Sequence, residues 1–60
     1  MNAEQLRKEL GKMFTDYIMP TRAVRNFYEG AVYNRGCWVP VYGGNLRDVY
    51  NSARCVKRAG

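Results

Sequence analysis

The side chains able to do covalent chemistry are few in this sequence: two cysteines, Cys37 and Cys55, five carboxylates, and no histidine. Without an imidazole the commonest general base and the commonest nitrogen metal ligand are missing, and a Cys–His nucleophile is impossible. Two thiols eighteen positions apart supply at most half of a structural zinc set, so a zinc site would need a second copy of the chain. The carboxylates Glu4, Glu9, Asp16, Glu29 and Asp48 are scattered along the chain as helix-surface partners of basic residues or charges near a helix start, not as an acid/base pair. These residues point away from an enzyme, with no catalytic group, cofactor or metal expected.

What remains is non-covalent recognition, and the cations carry it. Residues 1 to 19 balance Arg7, Lys8 and Lys12 against Glu4, Glu9 and Asp16, whereas from Pro20 onward seven cations face only Glu29 and Asp48. The formal net charge of +5 therefore resides in the C-terminal two-thirds, where all the cations but Lys57 are arginine, the side chain suited to planar contacts with phosphate and carboxylate. Arg22, Arg25, Arg35, Arg54, Lys57 and Arg58, with aromatic neighbours Tyr28, Tyr33 and Trp38, have the chemistry used on phosphate backbones and unstacked bases, provided that the fold gathers them. The bland alternative is a solubilising surface with a helix end whose cations complement its dipole. Gly43-Gly44-Asn45 also has the composition of a phosphate-cradling turn, but without the spacing of a Walker loop or a dinucleotide fingerprint it reads more simply as a turn and a helix cap.

The elements that must position these groups fit in a single domain spanning residues 1 to 60. A chain of this size buries only about 60% of the surface it exposes unfolded, so stability is thin and a partner subunit would help. The composition, 47% hydrophobic and 13% aromatic, is that of a folded domain. No run approaches the roughly 20 apolar residues of a membrane span, nor the basic start and apolar stretch of a secretory leader. A cytoplasmic protein with reduced thiols is the expectation.

Asn2 and Gln5 have the form of a capping box, and Leu6, Leu10, Met13, Phe14, Tyr17 and Ile18 follow at helical spacing, which predicts a helix over about 3 to 18, stopped by Pro20. Thr21 can cap a second, short helix with Val24, Phe27 and Tyr28 as its stripe and Gly30 as its stop. Next come two apolar runs, 31 to 33 and 37 to 42, flanking Asn34-Arg35-Gly36; they predict a β-hairpin with Arg35 at its tip and Pro40 on an edge strand. After the Gly43-Gly44 break, Asn45 caps a last helix of about 46 to 56, with Leu46, Val49, Tyr50, Ala53 and Val56 inward and Cys55 exposed. The expected fold class is α+β: helix, short helix, hairpin, helix, with a two-stranded antiparallel sheet packed by helices.

Alternation on the second hairpin strand puts Cys37, Val39 and Val41 on one face and Trp38, Pro40 and Tyr42 on the other. If the aliphatic set is buried, Trp38 and Tyr42 stand on the open side; if the aromatic set is the core, the valines do, and a continuous apolar run also allows both faces to be covered. The leading expectation is a small regulatory protein that binds nucleic acid through Arg22, Arg25, Arg35, Arg54, Lys57 and Arg58, with Trp38 or a nearby tyrosine such as Tyr42 stacking. The rivals are an inhibitor or adaptor that docks the hairpin edge and Trp38 face onto a larger, acidic protein, and a homodimer built on the same apolar face. In size, in its missing catalytic groups and in its basic, aromatic-rich character the chain is similar to the general run of accessory proteins of mobile elements.

Overall fold

The computed structural model describes residues 1 to 59 and shows two helices on one face of a three-stranded antiparallel sheet. In chain order the elements are α1 (Ala3–Met13), β1 (Tyr17–Val24), β2 (Phe27–Asn34), β3 (Cys37–Gly43) and α2 (Leu46–Ala59), with β2 central and β1 and β3 at the edges. The α+β class, the hairpin and the two long helices are as the sequence predicts. The second short helix is absent, and a third strand takes its place.

The first helix starts as expected. Asn2 Oδ1 accepts from the Gln5 N–H at 2.8 Å and the Asn2 N–H donates to Gln5 Oε1 at 3.0 Å, a reciprocal capping box. It ends five residues earlier than its apolar spacing suggests. Phe14 leaves helical geometry with extended backbone, and its N–H closes the last turn on the Leu10 carbonyl at 2.8 Å. Just beyond, the Asp16 carbonyl accepts from the Tyr33 N–H at 2.9 Å, which draws the chain into the sheet. Tyr17 and Ile18 satisfied the helical count by coincidence: Tyr17 and Met19 are half-buried and Ile18 exposed, the alternation of a strand.

The residues expected as a short helix form the second half of β1, the turn after it and the start of β2. Val24, Phe27 and Tyr28 do stand at helical spacing, but Arg25-Asn26 closes a two-residue connection in which Asn26 adopts a φ of 57°, and Val24 pairs with Phe27 across it. Asparagine tolerates that left-handed geometry better than other side chains. Pro20, read as a helix stop, lies instead in the strand. Between Ile18 and Thr21 the register gains one residue against Ala31 and Glu29, a bulge of the kind that accommodates a residue with no N–H to give the ladder.

The hairpin is tighter than a three-residue connection. Asn34 pairs with Cys37, so only Arg35 and Gly36 turn the chain, with φ of 52° and 79°, the positive pair that matches strand twist. Arg35 is at the tip as expected, and Pro40 lies on an edge strand. The last helix runs to Ala59, three residues longer than its apolar stripe, because the cations of its last turn suit a helix C-terminus.

The core consists of Leu6 and Leu10 from α1, Phe14 just past its end, Val32 and Val41 from the sheet, and Val49 and Ala53 from α2. Valines on the helix side and bulky rings outside is therefore the packing adopted. Asn45 fixes the start of α2, its Oδ1 accepting from the Asp48 N–H at 2.8 Å. Asn45→Ala is expected to cost about 1 kcal/mol, a fall of about 4 to 8 °C in the midpoint of a thermal melt followed by circular dichroism. Asn45→Ser should restore most of it.

Candidate nucleic-acid interface

The helices cover one face of the sheet and leave the other uncovered, so alternation decides which side chains that second face presents. Cross-strand partners share a face. Reading from the β2–β3 turn, the rows are Tyr33 with Trp38, then Ile18, Ala31 and Pro40, then Thr21, Glu29 and Tyr42, and finally Val24 with Phe27. Trp38 is 51% exposed and Tyr42 53%, which places two of the sequence-predicted site residues on the open face.

Rings on that face meet in two pairs. Tyr33 and Trp38 lie edge to face with centroids 5.4 Å apart, and Phe27 and Tyr42 are tilted at 6.0 Å. Such contacts hold the rings in place while their faces stay accessible. Tyr28, grouped with these aromatics from sequence, pairs instead with Gly43 on the helix side and is half-buried.

The cations separate into three groups. Arg35, on the β2–β3 turn, and Lys57, in the last turn of α2, line one open cleft of about 520 Å³ together with Met13, Phe14, Thr15, Tyr33 and Asn34. The hairpin is tied to the helix there: the Asn34 side-chain amide donates to the Val56 carbonyl at 3.4 Å, and the Lys57 ammonium stands 5.9 Å from the centre of the Phe14 ring. Tyr33 belongs to both the cleft and the aromatic face, so it links Arg35 and Lys57 to the row that carries Trp38.

Arg54 and Arg58 do not share that surface. At about 100° per residue they fall with Arg47 and Asn51 in a sector of about 60°, on the side of α2 opposite Val49 and Ala53. All four are exposed, and the Arg54 guanidinium lies 5.7 Å from the Tyr50 ring centre. Arg22 and Arg25 stand at the opposite end of the sheet, the length of β2 away, which is about 23 Å for its eight residues. Convergence is thus confined to Arg35, Lys57, Tyr33 and Trp38. Among the described residues the one ion pair is Lys12–Glu9 at 3.4 Å, so no side-chain carboxylate neutralises the cleft cations.

The start of α2 is arranged as a packed turn. A Cβ on Gly43 would stand 2.5 Å from the Asp48 Cβ and 2.9 Å from the Val49 nitrogen, so glycine is required for close approach of strand and helix, and the Asp48 carboxylate is already close by. Cys37 and Cys55 are exposed free thiols. Among the described residues no group of three or more potential metal ligands occurs, and no helix is long and apolar enough to cross a membrane.

Sequence reasoning placed Tyr33 among the aromatic neighbours of the cations, and its position opposite Trp38 follows once Arg35-Gly36 is taken as a two-residue turn. It left Phe27 out of the site, because its face is set by a strand that the helical spacing concealed.

Taken together, fold and surface define a small two-layer α+β domain whose sheet presents an uncovered aromatic face with a basic cleft at one end. No protein-family model, no curated protein and no solved structure matches the chain.

Proposed function

We propose that this protein is a non-enzymatic regulatory domain that binds nucleic acid, with the cleft at the β2–β3 end as its centre. The observation that carries this reading is the half-exposed Trp38, packed edge to face with Tyr33, whose ring lines a cleft with two cations, Arg35 and Lys57, that among the described residues pair with no side-chain carboxylate. Cations fix a phosphate backbone, and accessible rings supply a surface on which a base can stack. Arg25, on the turn at the far end of the sheet, extends the contact there, while Arg22, which pairs with Tyr28 on the helix side, and Arg54 and Arg58, on the outer side of α2, add to the long-range attraction of polyanions.

Fluorescence anisotropy with labelled single- and double-stranded DNA and RNA at low salt tests the reading. Binding is expected at micromolar protein and should weaken steeply as salt rises. Absence of any change with all four ligands at that concentration overturns it.

A second reading draws on the aliphatic border of the same face. Ile18 is 57% exposed and Val24 63%, side chains that a phosphate backbone does not use but that suit docking to a larger, acidic protein. Capture from nuclease-treated lysate on the immobilised protein separates the two. A retained protein that Trp38→Ala releases supports docking; loss of all retained material after nuclease supports nucleic acid.

A further inference from the structure

Resting on that reading, we infer that the ligand is a single strand, laid along the open sheet face from the Arg35–Lys57 cleft toward Arg25, with its bases unstacked onto two aromatic stations. The first station is Tyr33 with Trp38, and the second is Phe27 with Tyr42. Trp38 and Tyr42 project from the same side of β3 four residues apart, a separation of about 13 Å. Bases stacked in a duplex repeat about every 3.4 Å along one strand and cover each other's faces. A duplex therefore cannot offer one base to each station, whereas an unpaired strand can extend and present its base faces.

Charge supports the same path. Arg35 and Lys57 line the cleft that Tyr33 of the first station shares, and Arg25 lies on the turn beyond the second, so cations mark both ends of the face. The central rows carry Ile18, Ala31, Pro40, Thr21 and Tyr42, and a single carboxylate, Glu29, directly opposite Tyr42. A strand crossing there keeps its phosphates away from Glu29 and lays bases on the rings of β3. An acidic protein docking broadly over the face would also meet Glu29, but would not need two ring stations at this spacing.

Trp38 is the sole tryptophan, so its emission reports directly on the first station. Titrations with a thymidine oligodeoxynucleotide, a uridine oligonucleotide and a blunt DNA duplex, following both anisotropy and tryptophan emission, provide the test. At least one single strand is expected to quench Trp38 and to bind about tenfold tighter than the duplex. Trp38→Ala should weaken that strand at least about 5-fold, Trp38→Phe should recover most of the loss, and Glu29→Gln should strengthen binding severalfold. Circular dichroism of each variant separates lost stacking from lost fold, and the phenylalanine variant keeps the test valid if alanine unfolds the sheet. Duplex binding that equals or exceeds single-strand binding, or single-strand binding that leaves emission unchanged, overturns the inference and leaves nucleic-acid binding standing. No binding to any of the three, with no response to duplex RNA either, removes both.

Discussion

Gly30→Ala is expected to abolish the cooperative unfolding transition and leave the chain largely unfolded at room temperature. Gly30 is fully surrounded, on the central strand opposite the bulge in β1. A Cβ added there would meet the Ile18 carbonyl oxygen at 2.6 Å, the Pro20 nitrogen at 2.9 Å and the Pro20 Cα at 3.0 Å. All three atoms are backbone, so no side chain can rotate away and β1 must separate from β2. A domain of this size holds only about 3 to 5 kcal/mol of net stability from its core, about what a single buried Leu→Ala costs. Gly11→Ala is the contrasting substitution. Its Cβ would meet only the Tyr17 hydroxyl oxygen at 3.9 Å and a ring carbon at 4.0 Å, on an exposed position of α1, so a gain of about 1 kcal/mol from helix propensity is expected. Urea titrations of the two variants beside the parent provide the check. A Gly30→Ala protein with the parent's midpoint would mean that β1 is not held in this register.

That sensitivity to one bulge also explains which parts of the fold were legible in sequence. Elements defined by local signals were readable: Asn2 and Gln5 cap α1, Asn45 caps α2, and Arg35-Gly36 closes the hairpin. β1 was not, for two physical reasons. Its proline and bulge break the strict alternation of a strand, and its first residues Tyr17 and Ile18 stand three and four positions after Phe14, intervals that extend the helical stripe. What ends α1 is a non-local bond, from the Tyr33 N–H to the Asp16 carbonyl. Local pattern does not contain that information.

The candidate site divides along the same line. Alternation within β3 named Trp38 and Tyr42 as one face, and burial of Val32 and Val41 beneath the helices decides that this face is the open one. The positions of the cations depended on how the ends of the sheet are ordered. With a third strand inserted, the turn carrying Arg25 goes to one end of β2 and the turn carrying Arg35 to the other, so arginines whose convergence depended on the fold lie at opposite ends. A two-stranded sheet would not have forced that separation.

The separation makes the cations unequal, and substituting them in groups should show it. For single strands the logarithm of the binding constant falls with the logarithm of salt at about 0.7 per phosphate neutralised. With Arg35, Lys57 and Arg25 in contact, the slope should be about −2 and affinity should drop about 18-fold between 50 and 200 mM salt. Arg35→Ala with Lys57→Ala removes two of the three contacts, so the slope should fall to about −0.7 and binding at low salt should become barely measurable. Arg54→Ala with Arg58→Ala removes the same formal charge from the outer side of α2. That pair should leave the slope near −2 and weaken binding only through long-range attraction. Since net charge is matched, unequal losses must come from position. Salt titrations of the two double variants measure it, with thermal melts confirming that both retain the parent's fold. Equal losses would mean that only total charge matters and that the cleft has no privileged role.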